Sequence, residues 1–117
     1  MTQEQKQLLL IDLCARLPYG IKCKLSADGV SLVEDLQLAG LSQFLYGRLD
    51  VIPYLRPISS MTAEEINEYE NFIANEKDDL IRFCNELVFY NTHHLDYRGL
   101  IKMGLALEAP EDMYKTE

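Results

Sequence analysis

Apolar residues recur at intervals of three and four from Leu9 and Leu10 through Leu13 to Leu17, and Ile11 and Cys14 widen the stripe. That period predicts an amphipathic helix. Thr2 and Gln5 have capping-box spacing, which starts the helix at Gln3. Pro18 ends it, because proline donates no backbone bond and disfavours helical geometry at Leu17. The period then switches to two. Ile21, Cys23 and Leu25 alternate with Lys22 and Lys24, the pattern of a half-buried strand. Asp28-Gly29 follows as a hairpin turn. Val30, Leu32, Glu34, Leu36 and Leu38 share one parity, so the returning strand is read as Val30 to Leu38. Phe44-Leu45-Tyr46 fits a third short strand or a helical turn.

Pro53 and Pro57 rule out a long helix after Asp50, and one short helical turn capped by Asp50 with an extended exit is expected. Thr62 and Glu65 form a second capping box. Ile66, Tyr69 and Ile73 make one helical stripe that Leu80, Cys84 and Leu87 continue, and Glu76-Lys77-Asp78-Asp79 breaks it, which suggests two helices meeting near Asn75. Asn91 to His94 close the second helix, Asp96 to Gly99 form a turn, and the apolar strap from Leu100 to Leu107 should pack on the core. The fold class is α+β: an N-terminal helix, a small antiparallel hairpin or three-stranded sheet, and a helical C-terminal half. The rival is an all-α domain in which Ser31 to Tyr46 is helical.

The chain has 117 residues, 48% of them hydrophobic and 26% charged, which fits one globular domain over residues 1–110 with a loose acidic tail over 111–117. The three cysteines, Cys14, Cys23 and Cys84, are odd in number and widely spaced, and Cys14 and Cys84 adjoin apolar residues (Leu13-Cys14-Ala15, Phe83-Cys84). They are expected to be reduced, buried thiols, which favours a reducing compartment. No signal segment and no apolar run of membrane-spanning length stand out, so a cytoplasmic location without membrane contact is expected.

The net charge of −8 is uneven. Residues 1–61 balance six acids with six bases, whereas 62–90 carry eight acids against Lys77 and Arg82, a net −6. Such a segment repels phosphate backbones, so direct nucleic-acid binding is not expected. A basic protein partner is easier to accommodate.

Three stretches resemble words of a known family. They are Leu13-Cys14-Ala15-Arg16-Leu17-Pro18-Tyr19-Gly20, the run from Pro53 to Thr62 (PYLRPISSMT), and the run from His94 to Tyr114 (HLDYRGLIKMGLALEAPEDMY). The family comprises small uncharacterised proteins of gut Bacteroidetes and of their prophages and other mobile elements. The resemblance implies a bacterial or phage setting inside the cell and carries no activity with it.

Candidate chemistry is sparse. His93, His94 and Asp96 are too few and too divergent for zinc, which needs three or four converging ligands. Cys84 and His94 are too far apart on one helix to form a nucleophilic pair. No glycine-rich phosphate loop is present, and no cofactor is expected. Asp96, Tyr97 and Arg98 are the candidate interface anchors, set against an internal Asp–Arg lock with Tyr97 packed on the core; Arg56, between two prolines, has the same two readings. Glu64, Glu65 and Glu68 are the candidate acidic contacts.

The function expected is therefore a non-enzymatic accessory protein that binds another protein. The alternatives are an acidic nucleic-acid mimic that inhibits a defence or DNA-binding protein, and a small enzyme with a pocket near His94.

Overall fold

The computed structural model describes residues 1–115. It is an α+β fold in which four helices accompany a four-stranded mixed sheet of order β2-β1-β3-β4. Helix α1 spans Gln3–Arg16 and starts at the Thr2/Gln5 capping box. Strands β1 (Lys22–Ala27) and β2 (Val30–Asp35) form the hairpin around Asp28-Gly29, both of which hold positive φ. Helix α2 spans Leu38–Leu45, and strand β3, Asp50–Leu55, lies antiparallel to β1. Helices α3 (Ala63–Tyr69) and α4 (Asp79–Thr92) follow, and β4 (Leu107–Glu108) returns parallel to β3.

Three expectations are corrected. The returning strand stops at Asp35, and Leu38–Leu45 is helical. The valines that stiffen β2 give way here to Leu, Ala and Gln, which favour helix, and Leu41 and Phe44 reach the core one turn apart. Asp50 opens a strand rather than a helical turn. Val51, Pro53 and Leu55 alternate inward, and the register against β1 pairs Cys23 with Pro53 at a position where Pro53's missing N–H would point away from β1. Finally, only Cys23 of the three cysteines is buried; Cys14 and Cys84 are exposed and all three are free. Cys14 lies on the outward side of α1, and Cys84 lies on a side of α4 that no other element covers. Burial pushes the Cys23 thiol up to about 12.

The main core joins Leu9 and Leu13 of α1, Ile21 just before β1, Cys23 and Leu25 of β1, Val51 and Leu55 of β3, and Leu36, Leu41 and Phe44 around α2. Leu100, Leu105 and Ala106 of the strap close it. The Asp96 carboxylate fixes the strap's entry by accepting the backbone N–H groups of Leu100 (2.8 Å) and Ile101 (3.0 Å).

Part of the expected loose tail is tied down. The Tyr114 hydroxyl accepts the Lys22 N–H at 3.0 Å and donates to the Tyr54 carbonyl at 2.7 Å, closing the end of the β1–β3 ladder with a side chain. Its ring stacks on His94 at 3.8 Å. Residues 116 and 117 lie outside the described residues. No helix among the described residues is long and apolar enough to cross a membrane.

Beneath the strap lies a charged cluster. Asp12 and Arg16 are fully buried one helical turn apart, joined at 2.8 Å. Arg16 also donates to the Leu95 carbonyl at 2.8 Å, and Arg98 reaches Asp12 at 3.1 Å. One carboxylate thus holds α1 to the Asp96–Gly99 turn through two guanidiniums.

Candidate functional site

Helices α3 and α4 leave the sheet together as an arm. The radius of gyration is 15.1 Å and the molecule measures 48 × 31 × 24 Å, whereas a compact domain of this length has a radius near 13 Å. The arm begins and ends at one place. Arg56, just beyond β3, donates its N–H to the His94 carbonyl and accepts the N–H of Asp96, each at 2.8 Å.

The Arg56 side chain locks that junction with all five of its donors. Two go to the Glu65 carboxylate at 2.8 and 2.7 Å, and the others to Ser60 Oγ, the Ser60 carbonyl and the His93 carbonyl. Hydrogen bonding from Arg56, helped by the Thr62 N–H, holds the Glu65 carboxyl at about 2, well below its usual range and against the opposing effect of burial. His93 stands between two acids, with Nδ1 3.0 Å from Glu65 and Nε2 2.8 Å from Glu68.

Local sequence sets the arm's shape. The Thr62/Glu65 capping box starts α3. A π-helical turn over Glu70–Ala74 follows and ends at Asn75. Asp78 restarts the chain as the cap of α4, its carboxylate accepting the N–H groups of Leu80 and Ile81 at 3.0 Å. The charged run that interrupts the apolar stripe is thus also the signal that starts the second helix. At the far end α4 closes in a Schellman motif: the Leu95 N–H reaches the Tyr90 carbonyl and the His94 N–H the Asn91 carbonyl. His94 takes the left-handed position at φ 60°.

Ile73, Phe89 and Leu95 form a small core between α3 and α4, with Met61, Tyr69 and Tyr90 against it. That uses one side of α4 only. The opposite side is apolar and open: Leu80 is 72% exposed and Phe83 58%, with Ile81, Cys84 and Val88 also exposed, and Phe72 of the π-helical turn is 70% exposed. A groove runs along each flank of this ridge. One, about 510 Å³, is lined by Phe83, Leu87, Tyr90 and Tyr97. The other, about 550 Å³, is lined by Phe72, Val88, Phe89 and His93.

The six candidate contact residues divide. Asp96 is committed to the strap's backbone. Tyr97 stacks on Tyr90 at 5.2 Å and lies beneath the guanidiniums of Arg16 (5.3 Å) and Arg98 (4.9 Å). Arg98 pairs with Asp12 rather than with Asp96. Glu65 is held by Arg56, and Glu68 by His93. Glu64 is exposed, at the start of α3. The turn is therefore an internal lock, although Asp96 and Tyr97 also border the first groove. His94 is stacked on Tyr114 and borders neither groove. Burial, together with the nearby charges of Arg16 and Arg56, pushes its imidazole down to about 4. Among the described residues no three His, Cys, Asp or Glu side chains converge for a metal.

Sequence reasoning passed over Asp12 and Arg16, although positions 9, 12, 13 and 16 share one helical face. Nor does the spacing of Leu80, Cys84 and Leu87 show that Leu80 and Cys84 are left exposed. Comparison of the chain with family models, with curated proteins and with solved structures gives no match.

Proposed function

We propose that this chain is a non-enzymatic interaction protein whose recognition element is the α3–α4 arm, acting as an accessory protein of a bacterial or phage mobile element. One observation carries the proposal: α4 turns Leu80, Ile81, Phe83, Cys84 and Val88 to solvent instead of to the core. Exposed apolar surface of this kind costs free energy in an isolated chain and marks a contact surface. The ridge with a groove on each flank matches the way helices pack on one another, ridge into groove. The residues around it, Glu76, Asp78, Asp79 and Glu86 against Lys77 and Arg82, are acidic on balance, with a net charge of −2. The partner that fits is an amphipathic helix whose apolar stripe is edged by lysine or arginine.

Two features weigh against the acidic-mimic alternative. Glu65 is already held by Arg56 and Glu68 by His93 within the chain. Large apolar side chains also interrupt the acids, where a mimic of a phosphate backbone needs an unbroken charged surface.

The test is capture of partners from a host lysate by the tagged protein and by a Leu80→Asp, Phe83→Asp variant, at low and high salt. Both positions are exposed, so the variant should fold. Partners retained at high salt by the natural chain and lost from the variant are the expected result. An identical set from both proteins removes the arm from the function, and a set lost only through salt favours the mimic.

A further inference from the structure

The second unpartnered feature lies at the opposite side of the sheet. Strand β2 pairs with β1 alone, and all six of its residues are exposed. The hairpin register fixes which backbone groups face outward. Ala27 and Val30 flank the two-residue turn and exchange bonds, so Leu32 and Glu34 bond inward to β1 as well. The N–H and C=O groups of Ser31, Val33 and Asp35 therefore point to the free edge. Val30 and Leu32 share the face of Leu25 and Cys23, yet the core stops short of them and Leu32 is 58% exposed. The edge has no proline, lysine or bulge to keep it from pairing, and its charged residues, Glu34 and Asp35, are confined to one end.

We propose that β2 is a self-association edge: two copies pair their β2 strands antiparallel about a two-fold axis through Val33, joining two four-stranded sheets into one. The charges select a second copy as the occupant. The acids of β2, Glu34 and Asp35, lie at its C-terminal end and none lies at its N-terminal end. Antiparallel pairing about Val33 sets each Asp35 opposite Ser31 of the other copy and each Glu34 opposite Leu32, so no two acids face each other. The three outward residues then exchange all their backbone bonds with the same three of the other copy. The hairpin from Lys22 to Asp35 carries three acids and two bases, close to neutral. The strongly acidic arm departs next to β3 and β4, at the far side of the sheet order, so joining β2 edges keeps the two arms apart. Pairing through the α4 ridges would instead bring two net −6 segments together.

A six-residue edge is a small interface, so a weak, concentration-dependent dimer with a Kd of order 10 µM is expected. Sedimentation equilibrium from about 1 µM to about 1 mM tests it. Val33→Pro removes an outward N–H that β1 does not use, and Val33→Lys sets two like charges side by side at the axis; each should weaken the dimer at least tenfold. The Leu80→Asp, Phe83→Asp arm variant should dimerise as the natural chain does, which separates this proposal from the function assigned to α4. The register has its own test. With Cys14 and Cys84 changed to serine, Val33→Cys should cross-link the dimer under mild oxidation, because residues opposite each other in such a pair lie about 5.5 Å apart. Ser31→Cys should not. A monomer at every concentration, a dimer that survives both Val33 variants, or a dimer lost only in the arm variant overturns the proposal.

Discussion

Asp12 is the residue whose removal should cost the fold most. Its carboxylate is fully buried, takes the Arg16 guanidinium at 2.8 Å and the Arg98 guanidinium at 3.1 Å, and is the carboxylate paired with Arg16, itself fully buried. Asp12→Ala strands that cation. Removing one member of a buried pair costs about 3–5 kcal/mol, because the remaining charge keeps its desolvation penalty and loses its compensation. A chain of this length has a total stability of about 6–18 kcal/mol, so the loss is a large part of the whole. Unfolding entropy for a domain of this size converts it to a fall in Tm of about 12–20 °C. Asp12→Asn, which keeps the volume, should lose most of the same amount, which separates charge from packing. The double variant Asp12→Leu, Arg16→Met removes both charges; Arg98, partly exposed, can turn to water, and stability should return to within about 2 kcal/mol of the natural chain. Equilibrium urea unfolding followed by far-UV circular dichroism measures all four proteins. A cost below about 1 kcal/mol for Asp12→Ala would refute the reasoning, since it would mean that water reaches Arg16 and that the cluster is not a sealed lock.

Tyr114→Phe keeps the ring on His94 and deletes the hydroxyl between β1 and β3; it should cost about 1–3 kcal/mol and speed exchange of the Lys22 amide, and an unchanged amide would show the bridge to be dispensable. Thiol labelling of the native protein should modify Cys14 and Cys84 and spare Cys23 until the chain unfolds, with mass spectrometry counting the adducts; three adducts under native conditions would contradict the burial of Cys23. Acidification should act in two windows. His94 titrates at about 4 when folded and near 6.5 when unfolded, so the unfolded chain takes up the proton first and stability falls as pH drops from 6.5 to 4. Glu65, at about 2 when folded, contributes stability above 4.5 that is lost as pH falls toward 2. His94→Asn, which tolerates the left-handed backbone, should abolish the upper window and Glu65→Gln the lower, as read from unfolding curves at stepped pH.

The local signals carried much of the architecture. Both capping boxes, the hairpin turn, the stop at Pro18 and the break near Asn75 could be read because each is decided by neighbours a few residues apart. Misreadings came where distant contacts decide. Leu-rich sequence after Asp35 fits either parity or a helical period, and only the core position of Leu41 and Phe44 selects helix. The prolines around Tyr54 rule out a long helix but leave a short turn capped by Asp50 open, because the register that turns Pro53 away from β1 is not a local property. The candidate site fared less well. Asp96 and Arg98 stood out as a pair, yet Arg98's partner, Asp12, lies on α1 at the far end of the sequence. The stripe on α4 has the spacing of a core helix, and spacing alone does not say whether another element will cover it.

The backbone bonds at Arg56 have a consequence for how this protein can change over evolutionary time. The chain departs from the sheet there and comes back to the same residue at Leu95, so everything between is a detour with a fixed doorway. Closing a longer detour adds free energy only as the logarithm of its length. Helical turns can therefore be gained or lost at the outer end, near Asn75 to Asp78, with little disturbance to the strands. The sheet and its Asp12 lock can stay constant while the arm changes in length and surface, as an exchangeable cassette on a fixed frame.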